Sequence, residues 1–341
     1  MKILAIETSF DETAAAIVED LPAGRQVGLK ILSNVIASSK EMHEKYGGVV
    51  PEIAARQQLQ SMIPVLTEVL SGHDLKNIDA IAVTIGPGLI GSLLVGVETA
   101  KTIAMTTSLP FIPVNHVLAH MYANFVNNST IQQFNNITIE YPAVSLVVSG
   151  AHTELYLMKS VRDLAWLGGT IDDAAGECFD KTARLLGFGY GGGVAIEETA
   201  VRGDIKLPRP MMDESFNFSF SGLKTAVLRE WKKLNNPQLA PAFAYEIQEA
   251  ITDVLVEKTM RAGNKYGAKS ILLSGGVAAN QRLREKLTST MKQFSNVTVA
   301  IPPVSLCTDN AVFIGSYAYF RGIKADWHKI DAIPDLSVEI T

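Results

Sequence analysis

Two histidines four residues apart, His116 and His120 in the stretch NHVLAH, have the types and spacing in this chain that most directly suggest chemistry. On a helix, positions i and i+4 lie one above the other, so both imidazoles can reach a single ion. A pair alone is more often a half-buried helix with two satisfied histidines. Asp309, in the polar cluster CTDN where a new helical pattern (AVFIGSYAYF) begins, supplies a third ligand. Two imidazoles and a distant carboxylate leave coordination positions open, the arrangement of a working metal rather than a structural one.

Other polar groups are weighed in the same way. SGGVAAN, Ser274 to Asn280, follows the apolar strand ILL and opens a helix, where glycines let a ligand approach backbone N–H groups. Asp172, Asp173, Glu177, Asp180 and Lys181 crowd a helix start that feeds the loop GYGGG, Gly189 to Gly193. That cluster suits ribose or amine recognition, and a solvated helix face explains most of it equally well. Asp11 and Glu12 sit in a turn, which favours Asp for backbone reasons alone. Glu7, between apolar neighbours within a strand, needs a partner. His43, His73 and His328 are expected at the surface, and Met211, Met212 and FNFSFSG (Phe216 to Gly222) read as a packing segment entering a helix at Leu223.

The elements that position these residues follow one plan used twice. KILAIETSFDETAAAIVED is an apolar strand, a polar turn and a returning apolar strand, and PAVSLVVSGAHTELYLMKS from Tyr141 repeats it. The first hairpin is followed by a strand (LKILSNVIASS), a helix around 51–70, a strand (IDAIAVTIG), a helix and a short strand (FIPVN). The second leads into helices through 240–266, a strand (KSILLS), a helix from Ala278 and a strand (VTVAIP). Such duplication predicts an α/β, two-lobed, RNase H-like fold of the actin, Hsp70 and sugar-kinase plan, with a central interlobe cleft. Hairpin turns of small residues and hydroxyls suit phosphate oxygens. The expected N-terminal lobe is 1–130, with a C-terminal helix over 310–341 packing back on it, and the C-terminal lobe is 131–309; a polar linker, 126–140, joins the copies.

Composition bounds the function. A chain of 341 residues, 47% hydrophobic and 19% charged, is ordinary globular protein of about two domains. A net charge of -5 argues against a generally basic nucleic-acid binder, although a local basic patch or a partner can supply phosphate contacts. The two cysteines, Cys178 and Cys307, lack CxxC spacing and read as small buried residues in a reduced, cytoplasmic setting. Residues 80–97 carry no charge, but Gly86, Pro87, Gly88 and Gly91 break them into strand, turn and helix rather than a membrane span. Glu7 and Asp11 interrupt the N-terminal apolar run too early for a secretory signal, so the sequons at Asn127, Asn128 and Asn136 carry little meaning.

Taken together, ETSFDET, HEKYGGVVPEIAARQ, GPGLIGSLLVG, NHVLAH, SGAHTEL, DDAAGECFDKTARLLGFGYGGG, FSFSGLKT, SGGVAAN and CTDN occur in order over nearly the whole chain. They closely resemble the tRNA N6-adenosine threonylcarbamoyltransferase family in its bacterial form, once described as a sialoglycoprotein endopeptidase. The resemblance implies transfer of a threonylcarbamoyl group from threonylcarbamoyl-AMP to N6 of adenosine 37 in tRNAs reading codons that begin with A. It implies His116, His120 and Asp309 as ligands of iron or zinc, with magnesium accompanying a nucleotide. It places Val147, Val148, Ser149, Gly150, Ala151, Asp180, Gly193, Glu197 and Asn280 on the acyl-adenylate, and Asp11 and Glu12 beside the reacting centre. The implied partners are tRNA, a degenerate paralogue subunit (TsaB type) and a small ATPase (TsaE type), with no membrane.

Three positions depart from the family pattern: Phe10 stands where Cys is usual, Ala151 replaces the second Gly of SGGH, and Gly191 replaces a Pro, giving a looser loop. If position 151 needed a positive φ, Ala would cost up to about 1–2 kcal/mol. Three other readings stay open. A zinc protease needs a glutamate where Val117 stands. A kinase or ATPase of the same fold would not need the histidine pair, and a non-catalytic scaffold would not need to keep both histidines with Asp309.

Overall fold

The computed structural model describes residues 1–21, 28–46, 48–127, 138–189, 191–291 and 297–338. The chain divides into two compact units, Met1–Thr138 with Thr308–Glu339, and Ile139–Cys307. Asn128, Asn136, Tyr190 and most of the proposed linker 126–140 lie outside the described residues.

In the first unit β1 (Lys2–Glu7), β2 (Glu12–Asp20) and β3 (Leu29–Ser38) form an antiparallel meander. Then come α1 (Lys40–Glu44), α2 (Pro51–Val69), β4 (Ala80–Gly86), α3 (Ile90–Thr107), β5 (Phe111–Asn115), α4 (His116–Met121) and the short β6 (Val126–Asn127). The sheet order is β5-β4-β1-β2-β3-β6, with β4 parallel to both β1 and β5. Buried central strands carry near-continuous apolar runs, and β1 (KILAIE) is buried from Ile3 onward.

The second unit repeats the order. Its meander is β7 (Ala143–Val148), β8 (Thr153–Met158) and β9 (Leu164–Gly169), followed by α5 (Ala175–Leu185), α6 (Gly192–Thr199), α7 (Ser221–Leu234) and α8 (Ala240–Tyr266). After these come β10 (Ser270–Ser274), α9 (Gln281–Met291) and β11 (Thr298–Ala300), giving a sheet of order β11-β10-β7-β8-β9. Strand for strand this is the first unit's β5-β4-β1-β2-β3, so the duplication predicted from the hairpins is present at the level of sheet topology. Phe216, Phe218 and Phe220 pack as expected and are buried, whereas Met211 is half-buried and Met212 exposed, so those two do not share the packing role expected of them.

Close approach of the crossing glycines ties each first strand to its neighbour. In unit one, Leu89 N–H donates to Ser9 O at 2.8 Å, and a Cβ on Gly88 would fall 2.4 Å from that same oxygen. In unit two, Gly275 adopts φ +91°, and a Cβ there would fall 2.3 Å from Val148 O. Only glycine fits either position.

Two boundaries differ from expectation. The helix expected over 310–341 is α10, Ala311–Phe320. It ends where Arg321 N–H turns back to Tyr317 O, and the chain then runs along unit one, Ala325 N–H donating to Phe111 O and Ile333 N–H to Ile85 O. The helix expected from Ala278 opens as a single 3-10 turn, Gly276–Ala279, and α9 starts at Gln281 because Asn280 Oδ1 caps Leu283 N–H at 2.9 Å. Among the described residues no helix is long and apolar enough to cross a membrane.

Candidate active site

The three predicted ligands converge in the first unit. β5 ends at Asn115, whose Oδ1 accepts from Leu118 N–H at 3.2 Å and starts α4, all of it buried. His116 and His120 therefore project from one face, with ring centroids 4.7 Å apart, and Phe313 of α10 packs its ring against both. Asp309 precedes α10, where Asn310 Oδ1 caps Val312 N–H at 3.0 Å. Its Oδ1 lies 3.7 Å from His116 Nε2 and 3.6 Å from His120 Nε2. One atom from each of the three residues falls within a common span of 4.8 Å. Two imidazole nitrogens and a carboxylate oxygen at this spacing form a donor set able to hold a divalent metal ion.

The electrostatics suit a cation. Burial lowers the pKa of His116, but the carboxylates of Glu7 and Asp309 outweigh it and raise the value to about 9. Burial likewise pushes Asp309 up to about 6, against the pull of His116. Glu7, flagged for want of a partner, has three donors: Ser9 N–H, the Thr84 hydroxyl and His116 Nδ1, the last at 3.1 Å. Burial raises its pKa, and His116, Ser9 and Thr84 together hold it below the usual carboxylate value.

Asp11 lies in the β1–β2 turn of the same unit, and Glu12, expected in that turn, is the first residue of β2. Burial, reinforced by Asp309 and Asp11, pushes Glu12 up to about 10, so its carboxyl keeps its proton and shares it with Asp11 in a hydrogen bond. The turn is held by groups that the sequence reading missed. Gln58 of α2 donates to Phe10 O at 3.0 Å and to Glu12 O at 2.9 Å. His43, expected at the surface, is completely buried, whereas His328 is exposed and His73 half-buried. Its Nδ1 accepts from Val50 N–H at 3.3 Å, so Nε2–H faces Ser39 Oγ at 3.1 Å, and that hydroxyl donates to Asp11 O at 2.8 Å. A histidine in a polar stretch looks solvated in sequence, and its partners Ser39 and Val50 emerge only from the folded chain. Phe10 is 41% exposed.

The remaining predicted residues lie in the second unit. The side chains of Val147 and Val148 are buried in β7, Ser149 is half-buried, and Gly150 and Ala151 are exposed at the turn. Ala151 is not among the positive-φ residues, so the strain feared for it is absent. Ser149 O accepts from Gly176 N–H at 3.2 Å, which seats the turn against the start of α5. Asp180 is exposed on α5, with Gly192 packed so closely over its Cα that a Cβ would fall 2.6 Å away. Gly193 follows in the first turn of α6. Gly191 caps that helix at φ 80°, a conformation closed to proline, so the departure from Pro belongs to a defined turn rather than a looser loop.

Glu197 and Asn280 meet directly. Asn280 Nδ2 donates to Glu197 Oε2 at 3.2 Å and to Gln248 Oε1 at 2.9 Å, and Glu197 Oε1 accepts from Gln281 N–H at 2.8 Å. Gln248, buried in α8, was not singled out from sequence. The acidic cluster resolves into mostly structural roles. Asp172 accepts from Phe220 N–H and Ser219 Oγ at the start of α7, and Asp173 pairs with Lys181 and Lys224.

Fold and site together define a duplicated α/β protein with the fold of the actin, Hsp70 and sugar-kinase class, carrying two buried histidines and a half-buried carboxylate as a triad in its first unit. A solved structure of full-length HypF, in phosphate- and nucleotide-bound form, aligns with TM-score 0.57 at 11% identity, covering 92% of this chain and 54% of that one. This chain spans about half of that protein, and at such identity the likeness concerns the fold alone. The model of the tRNA N6-adenosine threonylcarbamoyltransferase family matches residues 30–316. A protein of that name from Dehalococcoides mccartyi is 48% identical over 344 residues, 99% of each chain. Another, from Thermomicrobium roseum, is 47% identical over 356 aligned positions, 96% of this chain and 94% of that one. The chain belongs to the tRNA N6-adenosine threonylcarbamoyltransferase family.

Proposed function

We propose that this enzyme transfers the threonylcarbamoyl group of threonylcarbamoyl-AMP to N6 of adenosine 37 in tRNAs reading codons that begin with A. The observation that carries the reading is the His116, His120 and Asp309 triad with the Asp11 and Glu12 carboxyl pair beside it, in a chain of this family. The resident ion is iron, with zinc the alternative, and magnesium accompanies the nucleotide. A bound divalent ion supplies Lewis acidity towards carbonyl and phosphate oxygens.

The chain's own groups do the rest. The N6 amine is a weak nucleophile because its lone pair is delocalised into the ring, so positioning and charge stabilisation carry most of the rate. As the new C–N bond forms, the bond from the carbamoyl carbon to the AMP oxygen breaks and N6 sheds a proton. Asp11 accepts or orients that proton, and Glu12, kept protonated, hydrogen-bonds Asp11 and holds it in place. In unit two, the 147–151 turn, Asp180, Gly193, Glu197 and Asn280 contact the adenylate; Val147 and Val148 do so through their backbones, since their side chains are buried.

The degenerate paralogue and the small ATPase are proposed as protein partners. Supporting a helical interface, α2 exposes Leu59 and Ile63 and α3 exposes Ile90 and Leu94, an i, i+4 apolar pair on each of two helices that pack together. Free Cys178 and Cys307, both buried, fit a cytoplasmic location. A kinase or ATPase reading leaves the histidine pair without a task. The test is mass analysis of tRNA nucleosides after incubation with pre-formed threonylcarbamoyl-AMP, tRNA and both partners. If modified nucleoside never accumulates, the transferase reading fails.

A further inference from the structure

Glu7 ends β1, and its side chain is completely buried at a strand whose preceding inward positions are apolar. A charge buried there costs stability unless it is hydrogen-bonded, and packing alone would be served as well by an apolar residue. The donors around it are specific. Ser9 N–H reaches Oε1 at 2.5 Å, while the Thr84 hydroxyl reaches Oε2 at 2.5 Å and His116 Nδ1 lies 3.1 Å from that same oxygen. An ionised carboxylate only accepts hydrogen bonds, so Nδ1 keeps its proton and it is the Nε2 proton that leaves when His116 gives up its charge. The nitrogen so freed lies 3.7 Å from Asp309 Oδ1. Thr84, on the neighbouring strand β4, fixes the carboxylate in turn.

We propose that Glu7 is a positioning residue of the metal centre: it sets the tautomer and ring direction of His116 and strengthens Nε2 as a donor to the ion. The inference rests on reading His116, His120 and Asp309 as metal ligands. Carboxylates in this relation to a ligating histidine typically contribute about 10- to 100-fold to metal affinity.

The experiment uses Co(II) as probe on the full chain, titrated against a chelator, with proton NMR of the cobalt-loaded protein to observe the exchangeable, paramagnetically shifted Nδ1–H of His116. Glu7→Gln keeps the shape and removes the charge. It should bind Co(II) about 10- to 100-fold more weakly and move or broaden that proton signal. His120→Ala serves as the control for the ligand set and should lose stoichiometric cobalt. Cobalt binding unchanged in His120→Ala overturns the metal reading itself. Loss of cobalt there, with unaltered affinity and an unaltered proton signal in Glu7→Gln, overturns the positioning role alone. Should Glu7→Gln not fold, Thr84→Val removes the hydroxyl from Oε2 without changing shape. The same two readouts then decide, a shifted proton with weaker cobalt binding supporting the role and parental values refuting it.

Discussion

Metal binding at the His116 site should be in competition with a proton. His116 holds its second proton up to about pH 9 when no ion is present, because Glu7 and Asp309 both face it. A ligating imidazole must be neutral at the donor nitrogen, so that proton has to leave before an ion can bind. At pH 7, about two units below the His116 value, displacing the proton costs about 3 kcal/mol, on the order of 100-fold in apparent affinity. The sign follows from competition for the same nitrogen, so affinity falls as pH falls below the His116 value, and the upward shift places the onset of that fall near pH 9 rather than near 6.5. Asp309, at about 6, adds a second competing proton only below that pH, and Glu7, held low, stays ionised and adds none.

The logarithm of apparent affinity should therefore rise by about one per pH unit between roughly pH 6.5 and 8.5, more steeply below about 6, and level off above about 9. Zinc competition against a chromophoric chelator across a pH series reads the slope. Calorimetry in two buffers of different ionisation enthalpy counts the released protons, about one per ion near neutral pH. A flat profile across the middle window, with no proton released, would show that His116 is neutral before the ion arrives and would refute the electrostatic argument.

Three further outcomes are expected. Asp11→Ala should lower the transfer rate about 10²- to 10⁴-fold in the nucleoside assay, with the fold retained, because the turn is still anchored through the backbone oxygen of residue 11 although the carboxyl hydrogen bond with Glu12 is lost. Asn280→Ala should weaken AMP binding in calorimetry and also cost about 0.5–2 kcal/mol of stability through loss of the α9 cap; Asn280→Ser should restore the cap and the melting temperature but not the affinity, and recovery of both would make the residue structural only. Gly275→Ala should destabilise unit two by at least about 2 kcal/mol in urea unfolding, since it meets both a positive φ and the Val148 carbonyl.

The fold was legible because each strand announces itself twice. β1 and β7 are short apolar runs between polar turns, and the sheet order that follows each hairpin is the same. Boundaries were read less well where side chains, not periodicity, decide them. AVFIGSYAYF is apolar enough to suggest a long helix into the tail, yet the chain turns back after Phe320 to meet β5. Asn280, read as the trailing residue of a ligand loop, is also the cap that sets where α9 begins. A capping contact three residues long is visible in sequence only when the helix start is already known.

The site was legible in its ligands and opaque in what holds them. A spacing of four puts two imidazoles on one face whatever surrounds them, so His116 and His120 could be read from local geometry. What aims one of those rings depends on contacts distant in sequence: Glu7 reaches His116 across 109 positions and Thr84 across 77. The same holds for Gln58, which grips the Asp11 turn from α2, and for His43, whose polar surroundings gave no hint of burial. Glu7 was the one such residue with a signal, because a carboxylate amid apolar neighbours requires donors that the strand itself lacks. Asp172 and Asp173 show the converse. Their crowding looked chemical, but one starts α7 and the other is neutralised by Lys181 and Lys224. A carboxylate isolated among apolar neighbours was thus a better pointer to the site than a dense charged run, whose members can satisfy one another.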